Sequence, residues 1–265
     1  MNNPGLNSVV IASNEAEAAA VAAVEQHHAQ LAGALRLRVQ ALLGAVAGGD
    51  PTAEHERREL VGWCNRELVP HALAEEKALY PAAHEKAESR LLVDGMLDEH
   101  RVITGLVDEI SAAEPARAAA AGYALMVMFA AHLTKENELI LPLLAAAPDV
   151  ALADLLAGMH ELLGGSSESS HAGHAHADGH NCGCAEVDGP GYPELDARAI
   201  PHAIRHATIF GALDAVRPGA GLVLIAPHDP LPLLAQIERR TPGLFAVDYL
   251  ERGPQDWRLQ FVHRG

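Results

Sequence analysis

HALAEEKALYP (71–81) and HLTKENELILPLL (132–144) each put a histidine four residues ahead of a glutamate, within a run of leucines and alanines. At about 3.6 residues per turn, that spacing sets both side chains on one face of a helix. The face is the apolar one in both stretches. His71 continues a stripe of Cys64, Leu68 and Leu79, and His132 continues a stripe of Leu125, Phe129, Leu139 and Leu143. A carboxylate on a core-facing stripe is costly unless it is paired or binds a metal. Glu75 and Glu136 therefore demand partners.

The same composition extends outward in both directions, with apolar residues recurring at steps of three and four. Ser13 or Asn14, followed by Glu15 and Glu17, caps a first helix that runs to the Gly48-Gly49-Asp50-Pro51 break. Asp50 is expected to cap a second helix, with Pro51 in its first turn, a kink at Pro70 and an end near Tyr80–Pro81. A third helix is expected from Lys86 to Ala113. The fourth opens at Glu114–Pro115 and reaches Pro142, and a shorter fifth covers Asp149 to Leu163. Long helices with short connections predict an all-α up-down four-helix bundle over residues 13–163.

Two more histidines lie on apolar stripes: His28 with Val24, Leu31 and Leu35, and His100 with Met96, Ile103 and Val107. Each long helix thus carries one. His28 and His71 stand about 20 residues from the first loop, His71 and His100 about 14 from the second, and His100 and His132 about 13 and about 17 from the third. In an antiparallel bundle such distances bring the side chains to one level. Six inward donors result: His28, His71, Glu75, His100, His132 and Glu136. A set of imidazoles and carboxylates without thiolate suits iron or manganese better than zinc. Tyr80, Met96 and Met128 read as pocket lining, and Cys64 as a small core residue. His55 and His84 read as surface, and Glu76 as exposed rather than a spare ligand.

From 164 to 191 the chain reads GGSSESSHAGHAHADGHNCGCAEVDGPG, which cannot bury a core and is read as a flexible linker. His171, His174, His176, His180, Cys182 and Cys184 make it a candidate second site for zinc, nickel or copper. Beyond it, strands near 194–197, 222–226, 245–251 and 257–263 alternate with helices at 201–216 and 229–240. The order βαβαββ predicts a small two-layer α/β domain over residues 192–265.

The net charge is −16, from 19 Lys+Arg against 35 Asp+Glu, and it opposes phosphate backbones and anionic lipid. Neither nucleic acid nor a membrane is an expected partner. No apolar run is expected to approach the roughly 20 residues that span a bilayer. Three cysteines are too few to staple 265 residues, and no basic-then-apolar leader is evident, so the expected location is cytoplasmic.

The pattern H…HxxxE…H…HxxxE, with the phrases EQHHAQL, HALAEEKALYP, DEHRVI and HLTKENELILPLL, resembles the bacterial hemerythrin-like, or HHE cation-binding, proteins over about residues 14–145. The resemblance implies a pair of non-haem iron ions held by His28, His71, Glu75, His100, His132 and Glu136, taking small diatomic ligands or peroxide. His28 is preferred to His27 because His28-Ala-Gln-Leu31 matches the phrase at His100 to Ile103. Oxygen-carrying members have a further histidine where this chain has Thr104, a departure that would leave both irons open to small ligands.

With LDARAIPHAIRHATIFGALDAVRPG (195–219), APHDPLPLL (226–234) and DYLERGPQDWRLQFVHR (248–264), a strand, an Asp-x-Arg turn and a Pro-started helix, the C-terminal segment is similar to small sulfur carriers of the TusA type, and more closely to a related domain of unknown function found beside hemerythrin-like domains. Sulfur carriers place a cysteine before the helix-opening proline, whereas Ile200 precedes Pro201 here, so sulfur transfer is not expected. Asp196, Arg198, Arg205, His206, His228 and Asp229 are the candidate recognition residues. The leading functional expectation is a non-haem di-iron protein that binds or reacts with oxygen, nitric oxide or peroxide, for sensing or detoxification. The alternatives are iron storage or delivery, and a metal-stabilised module acting through the C-terminal domain.

Overall fold

The first helix, α1 (Glu15–Ala47), begins at Asn14, whose side chain accepts the Glu17 amide, and ends where Gly49 takes a φ of 63°. The computed structural model describes residues 12–162, 192–200 and 204–265. Asp50 does not cap the next helix. Its carboxylate accepts the Thr52 amide at 2.8 Å and closes a turn, and α2 (Ala53–Trp63) starts after Thr52.

The second and fourth helical runs share an irregularity. After α2 comes one π-helical turn, Cys64–Leu68, then α3 (Val69–Ala78) and α4 (Tyr80–His84). After α6 (Pro115–Lys135) comes another, Glu136–Ile140, then α7 (Leu141–Ala146). Each π turn is followed at its second residue by a proline, Pro70 or Pro142. Proline has no amide hydrogen, and its ring clashes with the carbonyl four residues back. The wider turn accommodates both effects: the amides of Val69 and Leu141 reach back to the carbonyls of Cys64 and Glu136. The kink expected at Pro70 is thus a π-bulge, repeated at Pro142.

The extra residue turns the rest of the helical run back by about 100°. Leu139, expected on the core face, is therefore 51% exposed and Leu143 only half-buried, while Ile140, Leu141 and Leu144 fill the core instead. Between these runs lies α5 (Arg90–Ala112), and α8 (Leu152–Leu162) closes one end of the bundle. The continuous run 115–146 is long and apolar enough by composition to cross a membrane, contrary to expectation. In this fold its Leu125, Phe129, Leu133 and Ile140 are bundle core.

That core divides in two. One cluster contains Leu31, Leu35, Leu68, Ile103 and Phe129; the other contains Val24, Ala74, Tyr80, Met96 and Ile140. On all four helical runs the histidine falls where one cluster gives way to the other.

In the C-terminal part, β1 (Glu194–Asp196), α9 (Arg205–Asp214), β2 (Gly221–Ala226), α10 (Leu231–Arg240), β3 (Phe245–Arg252) and β4 (Trp257–His263) realise the βαβαββ order. The sheet order is β1-β2-β4-β3, parallel between β1 and β2 and antiparallel elsewhere. All six residues of β2 are buried. The sheet's core also takes in Leu37 from α1, because α9 lies directly across that helix. A Cβ on Gly33 would stand 2.1 Å from the Thr208 carbonyl oxygen, and one on Gly211 2.2 Å from that of Gln30. Only glycines allow so close a crossing.

Candidate metal centre

All six expected donors are buried, and their polar atoms meet at the boundary between the two core clusters. α3 presents His71 and, one turn on, Glu75, with His71 Nε2 2.8 Å from Glu75 Oε1. α1 adds His28, whose Nε2 lies 3.2 Å from the same oxygen and 3.8 Å from Glu136 Oε2. Across the site, His100 from α5 and His132 from α6 bring their Nε2 atoms within 3.1 Å of each other. His100 Nε2 is 3.6 Å from Glu75 Oε2, and His132 Nε2 is 3.6 Å from Glu136 Oε2. Two triads fall within mutual reach of a single ion: His28, His71 and Glu75, and Glu75, His100 and His132.

Three of the imidazoles are oriented from behind. His28 Nδ1 is 2.7 Å from Asn137 Oδ1, His100 Nδ1 is 2.9 Å from Glu76 Oε1, and His132 Nδ1 is 3.0 Å from Glu99 Oε2. Bonds of this kind place the ring hydrogen on Nδ1 and leave the Nε2 lone pair facing inward, as metal-binding histidines require. Lys135 in turn holds Glu99. His71 has no hydrogen-bond partner at either ring nitrogen; its ring meets those of His27 and His28 edge-on at 5.0 and 5.1 Å.

The electrostatics show what the cluster lacks. Burial and the nearby Glu75 carboxylate raise Glu136 well above the usual carboxylate range. Burial acts the same way on Glu75, but His71 and His28 outweigh it and hold Glu75 well below that range. Two buried carboxylates this close cannot both be ionised without a cation. Burial and the neighbouring His100 push His132 down to about 4, which keeps the imidazole neutral and able to bind a metal. Glu136 Oε2 and both His71 nitrogens are buried without hydrogen bonds. The donor set fits metal ions, which would satisfy Glu136 Oε2 and the inward-facing His71 Nε2.

Several residues differ from expectation. Glu76 is half-buried and supports His100 rather than facing solvent, and Glu99 and Asn137 were not anticipated. Tyr80 does more than line the pocket, since its hydroxyl donates to Glu136 Oε1 at 2.6 Å. Thr104 is exposed and donates to the carbonyl of His100 at 2.8 Å. Met96 is fully buried in the core beside the site, Met128 packs half-buried against the other cluster, and Cys64 is fully buried. His84 ends α4 and pairs with Asp94 at 3.1 Å, and His55 meets Arg217 of the C-terminal part.

The C-terminal candidates do not assemble into one site. Arg198 pairs with Asp196 and Asp256, Arg205 donates to the Ile200 carbonyl, and Asp229 accepts the Tyr249 hydroxyl at 2.8 Å. His206 and His228 are exposed. The linker candidates, His171, His174, His176, His180, Cys182 and Cys184, lie outside the described residues. A cleft of about 870 Å³ opens between α1 and the C-terminal part, away from the histidines.

Comparison with known families agrees with this geometry. Residues 19–144 match the hemerythrin HHE cation binding domain, and residues 194–263 match an uncharacterized conserved protein family, DUF2249. No curated protein and no solved structure matches the chain. The helical bundle is therefore a hemerythrin HHE cation-binding domain, a metal-binding unit joined in one chain to a conserved α/β domain.

Proposed function

We propose that the bundle holds two non-haem iron ions and serves to bind or react with oxygen, nitric oxide or peroxide. The observation that carries this reading is the pair of donor triads sharing Glu75, with Glu136 completing the set, in a core where no buried Lys or Arg among the described residues pairs with these carboxylates. An all nitrogen-and-oxygen donor set without thiolate favours iron. Iron held in this way supplies a reducible centre with affinity for small oxygen- and nitrogen-containing ligands. The protein residues do the rest. Asn137, Glu76 and Glu99 hold three imidazoles in the binding tautomer, and Met96, Leu79 and Ile140 wall the site against bulk water. Such a small, apolar-walled core suits diatomic ligands and peroxide better than larger substrates. Sensing or detoxification in the cytoplasm is the role proposed.

Iron quantitation on the purified chain tests the reading. Two irons per chain are expected, and removal of Glu75 and Glu136 together should abolish binding. A double Glu→Ala variant that still carries two irons would overturn it. Mixing the reduced protein with oxygen then separates reaction from carriage. Oxidation without a long-lived reversible adduct is expected; full reversal on removing oxygen would favour a carrier.

A further inference from the structure

Tyr80 is the first residue of α4, just past the break at Leu79 that separates this helix from α3, and it is 2% exposed. Its ring stacks on His100, with centroids 5.3 Å apart and planes 18° from parallel. Its oxygen lies 2.6 Å from Glu136 Oε1, 3.3 Å from His132 Nε2 and 3.4 Å from His100 Nε2. The two Nε2 atoms are 3.1 Å apart.

These contacts cannot all be hydrogen bonds. With the imidazole Nδ1 atoms turned to the carboxylates of Glu76 and Glu99, both Nε2 atoms present lone pairs. The phenol has one hydrogen, and it goes to Glu136. Three electron-pair donors, two nitrogens and one oxygen, therefore face one another within 3.4 Å with no proton between them. A metal cation among them turns this repulsion into attraction.

Building on the metal-centre reading, we infer that Tyr80 is itself a ligand: its phenol oxygen joins His100 and His132 on one metal ion. The metal–oxygen bond replaces the O–H bond, and the released proton leaves by way of Glu136, which already accepts the hydroxyl hydrogen, to solvent. Among the described residues no phenol stands on the opposite side, where His28 and His71 meet Glu75. The two metal positions are then unequal. The one at His100 and His132 is filled from within the chain, and the one at His28 and His71 is where an outside ligand binds.

Phenolate bound to ferric iron gives a visible charge-transfer band and enhanced ring modes in the resonance Raman spectrum, which imidazole and carboxylate ligands do not. The test uses the full chain loaded with ferrous iron and oxidised with ferricyanide. Wild type is expected to show the band, and Tyr80→Phe to keep its iron and helical circular dichroism while losing the band. Ring-deuterated tyrosine in wild type should shift the Raman modes, a readout independent of whether the variant folds. An iron-loaded wild type without the band, or a Tyr80→Phe protein that retains it, overturns the inference and leaves the di-iron reading standing. Failure of the wild type to take up iron overturns that reading and the inference with it.

Discussion

Each supported imidazole is held from a different helical run. Glu76 of α3 supports His100 of α5, Glu99 of α5 supports His132 of α6, and Asn137, in the π turn after α6, supports His28 of α1. Glu76, Glu99 and Asn137 each adjoin a core donor in sequence, so on their own helices they sit about 100° off the core stripe and read as solvent-facing. The six donors were legible because helical periodicity marks which residues face inward. Their supports were not, because pairing between neighbouring helices depends on how those helices pack. Glu99→Ala and Glu76→Ala should each weaken metal binding by about 10–100-fold at unchanged stoichiometry, measured by competition against a chelator. A variant with wild-type affinity would show that the bond does not orient its imidazole. Cys64 makes a separate residue-scale prediction. Burial pushes its thiol up to about 12, against the opposing pull of Arg38, and the side chain is fully buried. It should resist iodoacetamide at mildly alkaline pH until the chain is denatured, as peptide mapping would show.

Helix order, the glycine break after α1 and the positions of the histidines could be read from apolar spacing and breaker residues, whereas the phase of the last turns could not. Counting at 3.6 residues per turn from Phe129 and His132 leads to Leu139 and Leu143, but the structure buries Ile140 and Leu144. The cause is local. Pro142 cannot donate to the carbonyl four residues back, the chain widens into a π turn, and one residue is absorbed. The same event around Pro70 lies just before His71, so each bulge adjoins one His-x-x-x-Glu pair. The shift makes neighbouring substitutions diverge. Ile140→Ala should cost about 2–5 kcal/mol in urea unfolding, and Leu139→Ala less than about 0.5 kcal/mol. Similar losses at the two positions would mean that the bulge is absent in solution.

At the scale of the whole molecule, the abrupt composition of residues 164–191 suggests two domains joined by a tether, and nothing in either domain's periodicity announces that they touch. Gly33, within the long helix α1, reads simply as a weak helix position, because its role depends on a carbonyl about 175 residues away in the chain. The packed structure makes it the point at which α9 crosses, reinforced at a second place by Arg217 with Glu56 and His55. Because α1 also carries His28, the helix that lines the metal centre is the one against which the C-terminal domain rests. The sign of one substitution distinguishes a docked domain from a tethered one. Alanine in place of glycine inside a helix normally stabilises by about 1 kcal/mol, so on a free outer face Gly33→Ala should raise the melting temperature. If the crossing holds in solution, the added Cβ runs into the Thr208 carbonyl oxygen, and α9 must back away from α1. The expected result is a larger radius of gyration by small-angle scattering and faster proteolysis between the domains. Metal content should stay at the wild-type level, since the bundle's core side is untouched. An unchanged radius together with a higher melting temperature would establish that the C-terminal domain hangs free.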